Sequence, residues 1–233
     1  LTASVFSENL VSLILVENGI GLRGTASLAA SEAFVKLAVL NLSVNEIDDE
    51  GASYLAASEK LVNLRSLSLR DNEIGPEGAA SLASSETFGN LEVLELGYSD
   101  IGNKGAKAIA TQSRLESLTS LELATSNIGD EGVRALAFSE KLRNLRSLNL
   151  ANNEIGDEGT AAIADSDAFA KLETLNLSRN HIGDDGAKSL ANSETLRNLS
   201  SLDLDGNDIG AEGAKALAES PFLSESIKDR FRS

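Results

Sequence analysis

The chain has 233 residues, of which 42% are hydrophobic, and it carries a formal net charge of −16 at pH 7. That apolar content is enough for a core, whereas the acidic excess would repel a phosphate backbone, so we expect no nucleic-acid partner. Because the sequence contains no cysteine, disulfides, zinc–cysteine sites and thiol nucleophiles are excluded, and an intracellular setting is favoured. No apolar run approaches the ~20 residues of a membrane span, so we expect a soluble chain without a membrane partner.

A six-residue phrase recurs eight times at a fixed spacing of 27 residues. Its copies are GTASLA (24–29), GASYLA (51–56), GAASLA (78–83), GAKAIA (105–110), GVRALA (132–137), GTAAIA (159–164), GAKSLA (186–191) and GAKALA (213–218). Such a period indicates a repeat array that folds as one body. The sequence therefore predicts a single domain over residues 1–233. It divides into a partial repeat or N-terminal cap at 1–9, eight repeats at 10–223, and a C-terminal cap or tail at 224–233.

Each repeat opens with the pattern L-x-x-L-x-L-x-x-N-x-I-G, which predicts a short strand and a turn. In the sixth repeat, Leu148 and Leu150 are two residues apart, so both point to one face of the strand and Asn149 points to the other. Asn153 is expected to pair with backbone groups of the turn, as part of a stacked asparagine ladder. Gly156 permits a sharp bend.

The second half of each repeat predicts a helix. Asp157 and Glu158 fall in its first turn, where acidic side chains favour the positive end of the helix dipole. Gly159 and the alanines after it are small, so the helix can pack close to the strand layer. More than half of the 36 acidic residues recur in four such columns, so the charge follows from the repeat. A stacked acid column is not expected to bind calcium, which needs several oxygens converging within one turn.

Two positions depart from the repeat. Asp48 takes the place of the turn glycine in the second repeat, where aspartate would tolerate a left-handed backbone. His181, the only histidine, lies in a column that we expect to face solvent.

With no cysteine and no second histidine, we expect no catalytic residue, no metal site and no cofactor, and therefore no enzyme. A carboxylate pair could do acid–base work, but an open sheet face offers no cleft to raise a carboxyl pKa.

The strand pattern followed by GAxxLA resembles the ribonuclease-inhibitor-like class of leucine-rich repeats, and within it the GALA subgroup. The resemblance covers residues 10 to about 223. It implies an α/β fold, a leucine-rich-repeat solenoid (horseshoe) of eight 27-residue strand–helix units with a parallel sheet on the concave face. It also implies a non-catalytic protein–protein interaction module, such as the recognition part of a bacterial effector delivered into host cytosol. We expect a monomer.

Other functions stay open. Similar repeats occur in GTPase-activating proteins, in which a group such as Arg70 or Asn152 would enter the nucleotide site. Some GALA-type proteins carry an F-box and recognise substrates for a ubiquitin ligase, although no F-box-like segment appears in these residues. A structural spacer without a dedicated site is the remaining alternative.

The variable positions of the strand face are where we expect a partner protein, because the shared positions serve the fold. Glu95 and Glu122 are neighbours in the central column, where like charges about 5 Å apart repel by roughly 1–3 kcal/mol and would suit a basic patch on the partner. A solvated, screened patch is the alternative. Tyr98 lies beside them, and tyrosine is enriched in binding hot spots. The predicted concave-face site comprises Arg65, Arg70, Asp71, Glu92, Glu95, Tyr98, Glu122, Thr125 and Asn149.

The asparagine ladder is interrupted at Ser99 and Ser126. Serine has a shorter reach and makes fewer hydrogen bonds, so we expect the fourth and fifth repeats to be the least rigid, by about 1 kcal/mol per lost bond.

Apolar residues occupy the strand face of the first two repeats, at Val11, Ile14, Val16, Val39 and Val44. Exposed apolar clusters indicate a covered surface. We favour an N-terminal cap that packs there, since terminal repeats need one, and a partner groove is the alternative.

Overall fold

The computed structural model describes residues 9–112 and 114–232, and this part of the chain forms eight strand–helix units stacked in sequence order. Strands β1 to β8 are Ser12–Ile14, Val39–Asn41, Ser66–Ser68, Val93–Glu95, Ser120–Glu122, Ser147–Asn149, Thr174–Asn176 and Ser201–Asp203. They form one parallel sheet in the order of the chain. The predicted fold class, an α/β leucine-rich-repeat solenoid, is confirmed.

Neighbouring strands pair at a constant offset of 27 residues, so each position of the repeat forms a column across the sheet. Glu95 pairs with Glu122, which pairs with Asn149. The side chains between these columns point inward, since Leu94, Leu121 and Leu148 are buried. The central column predicted from the sequence is confirmed, because the repeat length fixes the register.

Helices α1 to α9 are Gly21–Ala29, Asp49–Ala56, Pro76–Ser84, Gly102–Gln112, Asp130–Ala137, Asp157–Ala164, Asp184–Ala191, Ala211–Ala218 and Glu225–Lys228. Short 3-10 helices cover Glu32–Phe34, Phe88–Asn90, Glu140–Leu142, Asp167–Phe169 and Asp229–Phe231. Each of α1 to α7 packs against the next helix along the chain. Helices need 8–10 Å between axes whereas strands need ~4.8 Å, so the array curves with the sheet on its concave face.

The core lies between the sheet and the helices and is made from the leucine and isoleucine columns. Leu148, Leu150, Ile155 and Ile163 of the sixth unit are fully buried, and burying such a side chain contributes ~2 kcal/mol. Phenylalanines such as Phe169, also fully buried, fill the space near the helix ends. One apolar core therefore runs through the described units.

The two ends of the array differ. At the carboxyl end, α9 and the 3-10 turn after it pack against α8, and Ile227 is buried. Arg230 donates to the Leu202 carbonyl at 2.7 Å and contacts Asp205 at 3.0 Å. At the amino end, the predicted partial repeat or cap falls largely on residues 1–8, which lie outside the described residues. No helix within the described residues is both long and apolar enough to cross a membrane.

The left-handed backbone does not lie where the sequence reasoning placed it. Gly156 and Asp48 have φ of −103° and −92°, and Asp48 instead caps α2 by accepting from the Gly51 N–H at 2.9 Å. The left-handed position comes earlier in the turn, at Tyr98 (φ 58°) and at the equivalent residues of other units. There the backbone N–H donates to a carbonyl of the next unit. The Tyr98 N–H donates to the Ala124 carbonyl at 2.8 Å.

Candidate functional site

The predicted concave-face residues come together at the centre of the sheet. Arg65 and Glu92 form an ion pair between neighbouring units. Arg70 lies over the Tyr98 ring, with its guanidinium carbon 4.5 Å from the ring centroid, which is a cation–π contact. Tyr98 is still 46% exposed, so one face of this stack remains available to a partner. We call this group of residues, together with Glu95 and Glu122, the central patch.

Glu122 occupies the middle of the central patch, and its carboxylate makes hydrogen bonds that the sequence does not predict. Its carboxylate accepts the backbone N–H groups of Gly97 and Ala124, each at 3.0 Å, and the Asn149 side-chain amide at 3.2 Å. A Cβ on Gly97 would lie 2.2 Å from the Glu122 carboxylate, so any other residue at this position would push that flexible side chain away. The side chain therefore ties three units together as well as carrying charge.

Burial raises the pKa of Glu122 above its ordinary value near 4.5, with Glu95 adding to the rise, while the two backbone N–H groups and Arg70 act in the opposite direction. The expectation that an open face could not raise a carboxyl pKa is wrong for this residue. The strand face is open, but the side chain folds down toward the backbone of the neighbouring strand ends and becomes half-buried.

Asp71 and Thr125 flank Tyr98 at the equivalent position of the units on either side, and both have left-handed backbones. The Thr125 hydroxyl accepts the Asn152 side-chain amide at 3.0 Å. These two residues belong to the predicted site, and Asn152 extends it along the same column. The column runs along the edge where the strands end and the helices begin, which we call the rim.

An open cleft of about 960 Å³ lies on the rim next to Tyr98. Carboxylates of Asp71, Glu73, Asp100 and Glu154 line it, together with Tyr98 and four asparagines. Sequence reasoning assigned Asp71, Tyr98 and Thr125 to the site and named Asn152 and Ser99 for other reasons. It missed Glu73, Asp100 and Glu154, because acids recur in their column and so carried no local signal.

The asparagine ladder beneath the rim is confirmed. The Asn72 carboxamide oxygen accepts the N–H groups of Asn45 and Ile47, both at 3.0 Å. Its nitrogen donates to the carbonyls of Leu42 at 3.0 Å and Leu69 at 2.8 Å. Equivalent contacts between units are made by Asn45, Asn153, Asn180 and Asn207. Each asparagine thus satisfies backbone groups in two units.

The ladder changes at the cleft. The Ser99 hydroxyl donates to the Asn72 carbonyl at 3.4 Å, and the Ser126 hydroxyl donates to the Ala124 carbonyl at 3.3 Å. Serine therefore makes fewer bonds than asparagine, as expected from its length. The lower rigidity of these units stays a prediction.

A second ladder, which sequence reasoning missed, connects the helices. Asp157 accepts the N–H groups of Gly183 at 2.7 Å and Gly186 at 2.9 Å, so it caps the helix of the next unit. Asp49, Asn103, Asp130 and Asp184 make the equivalent pair of bonds. A Cβ on Gly186 would lie 2.7 Å from the carboxylate, which explains the glycine of the repeated phrase. The available signal was an acid followed 26 and 29 residues later by glycine.

The second ladder is also interrupted at the cleft, because Pro76 stands at the capping position of the third unit. Gly102 in the next unit then adopts φ 55°, donates to the Ser126 carbonyl at 3.0 Å, and begins α4 itself. Pro76 and Ser99 both line the cleft. The cleft therefore lies where neither ladder has its usual side chain.

The remaining predicted residues lie on the surface as follows. Val11, Ile14, Val16 and Val44 are exposed, whereas Val39 is half-buried. His181 faces solvent, as expected, with Nδ1 4.0 Å from the Asp208 carboxylate. No group of three or more potential metal-ligating side chains occurs within residues 9–112 and 114–232.

The stacked units, with one parallel sheet on the concave face and helices on the other, define a repeat solenoid. The family model described as Leucine Rich repeat matches residues 36–56, 60–83, 90–110, 114–137, 141–164, 170–191 and 195–218. The chain belongs to the leucine-rich-repeat family. Members of this family are typically non-catalytic scaffolds that bind other proteins. Comparison with curated proteins gives no match.

Proposed function

We propose that the chain is a non-catalytic recognition module that binds a partner protein through the central patch. Its repeats would belong to the ribonuclease-inhibitor-like class and its GALA subgroup, with the role of a bacterial effector in a host cell. The whole of residues 1–233 would then serve as one binding domain.

The observation that carries the proposal is the stack of Arg70 on Tyr98. An aromatic ring held by a cation loses little conformational entropy on binding, and tyrosine and arginine are among the residues enriched in binding hot spots. Tyr98 is 46% exposed at the boundary between the sheet and the rim cleft, so a partner can contact both. The stack therefore supports an anchor point at the centre of the concave face.

The charges around the stack favour a partner with a basic patch. Glu95 and Glu122 lie on one side, and Asp71 and Asp100 lie on the other, within or next to the cleft. Oppositely charged surfaces raise the rate of association and fix the orientation of the complex. Arg65 and Glu92 neutralise each other, so they add specificity rather than net charge.

The GTPase-activator alternative receives no support from this geometry. Arg70 is engaged with the Tyr98 ring, and the carboxylates that line the neighbouring cleft would repel a nucleotide phosphate.

The test is affinity capture of partner proteins with wild type and the Tyr98→Ala variant, followed by mass spectrometry and a binding assay on the captured protein. Loss of the aromatic anchor should weaken binding at least tenfold, by about 1.4 kcal/mol or more. Tyr54, which is 42% exposed on helix α2, provides the matched control, since Tyr54→Ala removes the same side chain from the opposite face.

Charge is tested separately with Glu95→Lys, with Glu194→Lys as the control on an exposed position away from the sheet. Glu122 is unsuitable for charge reversal, since its backbone hydrogen bonds would be lost as well. Equal binding by Tyr98→Ala, Glu95→Lys and wild type would refute the central patch as the site.

A further inference from the structure

The amino end of the array has two different apolar surfaces. One is the end of the core, where Leu13, Leu15, Ile20 and Leu28 are only partly buried. These side chains correspond to residues that are fully buried in later units, so another stacked unit or a cap would cover them. A cap explains this surface.

The second apolar surface is on the open face of the sheet and needs another explanation. Val11, Ile14, Val16 and Val44 are 55%, 65%, 42% and 40% exposed. Ser12 and Ile14 flank the inward-pointing Leu13, so Ile14 faces away from the core. A unit stacked on the end of the array would extend the sheet sideways and leave these side chains uncovered. Their position favours the alternative of a partner groove.

Carboxylates border this surface where it meets the rim. Glu17, Glu46, Asp71 and Glu73 line a depression of about 400 Å³ together with Val44. None of these four forms an ion pair with another side chain among the described residues. The nearest unit's Arg70 is engaged with Tyr98 instead. An apolar stripe thus ends in a group of uncompensated negative charges.

We propose that this surface, the N-terminal stripe, binds a short amphipathic helix of a partner protein that ends in lysine or arginine. The open face of a sheet presents side chains rather than unpaired backbone groups, so the partner must offer an apolar side-chain face, which a helix does. The five-residue step from Val11 to Val16 spans roughly 16 Å, the length of about three helical turns. The basic end of the helix meets the rim carboxylates. This surface does not include Tyr98, and it shares Asp71 and Glu73 with the lining of the rim cleft.

The test uses a designed helical peptide with leucines along one face and lysines at one end, and a twin in which glutamate replaces each lysine. Binding is measured by calorimetry and by chemical shifts of the Ile14 methyl groups. Wild type should bind the lysine peptide with a salt-dependent affinity and bind the glutamate twin at least tenfold more weakly.

Matched variants assign the binding to the stripe. Ile14→Asn and, independently, Val16→Asn should weaken binding of the lysine peptide about tenfold, and Glu17→Gln with Glu46→Gln, neither of which lines the rim cleft, should weaken binding and flatten its salt dependence. Phe138→Asn is the control, because Phe138 is 64% exposed on the helical side. Tyr98→Ala should leave peptide binding unchanged, which separates this result from the fate of the central patch. Circular dichroism checks that each variant is folded.

Three results would overturn the proposal. These are failure of the lysine peptide to bind wild type, binding of the glutamate twin as tightly as the lysine peptide, and binding of the lysine peptide by both Ile14→Asn and Val16→Asn as tightly as by wild type. Sedimentation provides a fourth. A wild-type dimer that Ile14→Asn converts to monomer would show that a second copy of the chain covers the stripe.

Discussion

Glu122 combines two roles at one position, since it joins strand ends through hydrogen bonds and adds charge to the central patch. Because burial raises its pKa, the folded chain holds this proton more tightly than the unfolded chain does. Its contribution therefore favours folding below the unfolded-state pKa and is lost as pH rises through the folded-state pKa.

A carbon-13 titration of the glutamate carboxyls should show Glu122 ionising above its ordinary value near 4.5. Over the same pH window, the free energy of unfolding of wild type should decrease more with rising pH than that of Glu122→Gln, which cannot titrate. A midpoint at or below the ordinary value, or parallel stability curves for the two proteins, would contradict the burial of this side chain.

Val44 shows strain at a single residue. It is β-branched, yet its φ is 58°, a region that costs such residues about 1–2 kcal/mol. Asparagine tolerates this conformation, so Val44→Asn should raise the melting temperature by about 2–4 °C. Val16→Asn is the matched control, because Val16 is similarly exposed and is not among the residues with positive φ. Equal effects of the two substitutions would mean that backbone strain is not what the change relieves.

At the scale of the element, each helix depends on the unit before it. Asp157→Ala removes the acceptor of two backbone N–H groups in the next unit and should cost about 2 kcal/mol of unfolding free energy. Asp157→Asn should cost less, since Asn103 fills the same role in the fourth unit. Glu158→Ala, which breaks only an exposed ion pair with Arg134, should change stability by less than about 0.5 kcal/mol.

Urea denaturation of these three variants measures the differences. If Asp157→Asn were as harmful as Asp157→Ala, the negative charge rather than the hydrogen-bond geometry would be the stabilising feature.

The sequence predicts the strand, the turn asparagine and the helix of each unit because these depend on side-chain direction and spacing within one repeat. Leu148, Asn149 and Leu150 follow from a two-residue period alone. The capping role of Asp157 could not be predicted in the same way. Its partners lie 26 and 29 residues away, so a helix considered by itself shows only an acid in its own first turn.

At the scale of the whole molecule, the interface between the third and fourth units differs from its neighbours. Pro76 replaces the capping acid and Ser99 replaces the ladder asparagine on the same edge, and the rim cleft lies there. The sequence could identify Tyr98 and Glu95 as exceptions within their columns, because a repeat makes exceptions visible. It could not predict the cleft, which results from the combined absence of two kinds of contact between units.

The position of the partner on the molecule can be measured directly by hydrogen–deuterium exchange of the free chain and of its complex with a partner captured by wild type. We expect slower exchange in the strands and rim turns of the third to fifth units, around Asp71, Tyr98 and Thr125, and unchanged exchange in helices α3 to α5. Slower exchange confined to those helices, with the strand face unaffected, would contradict recognition through the concave surface.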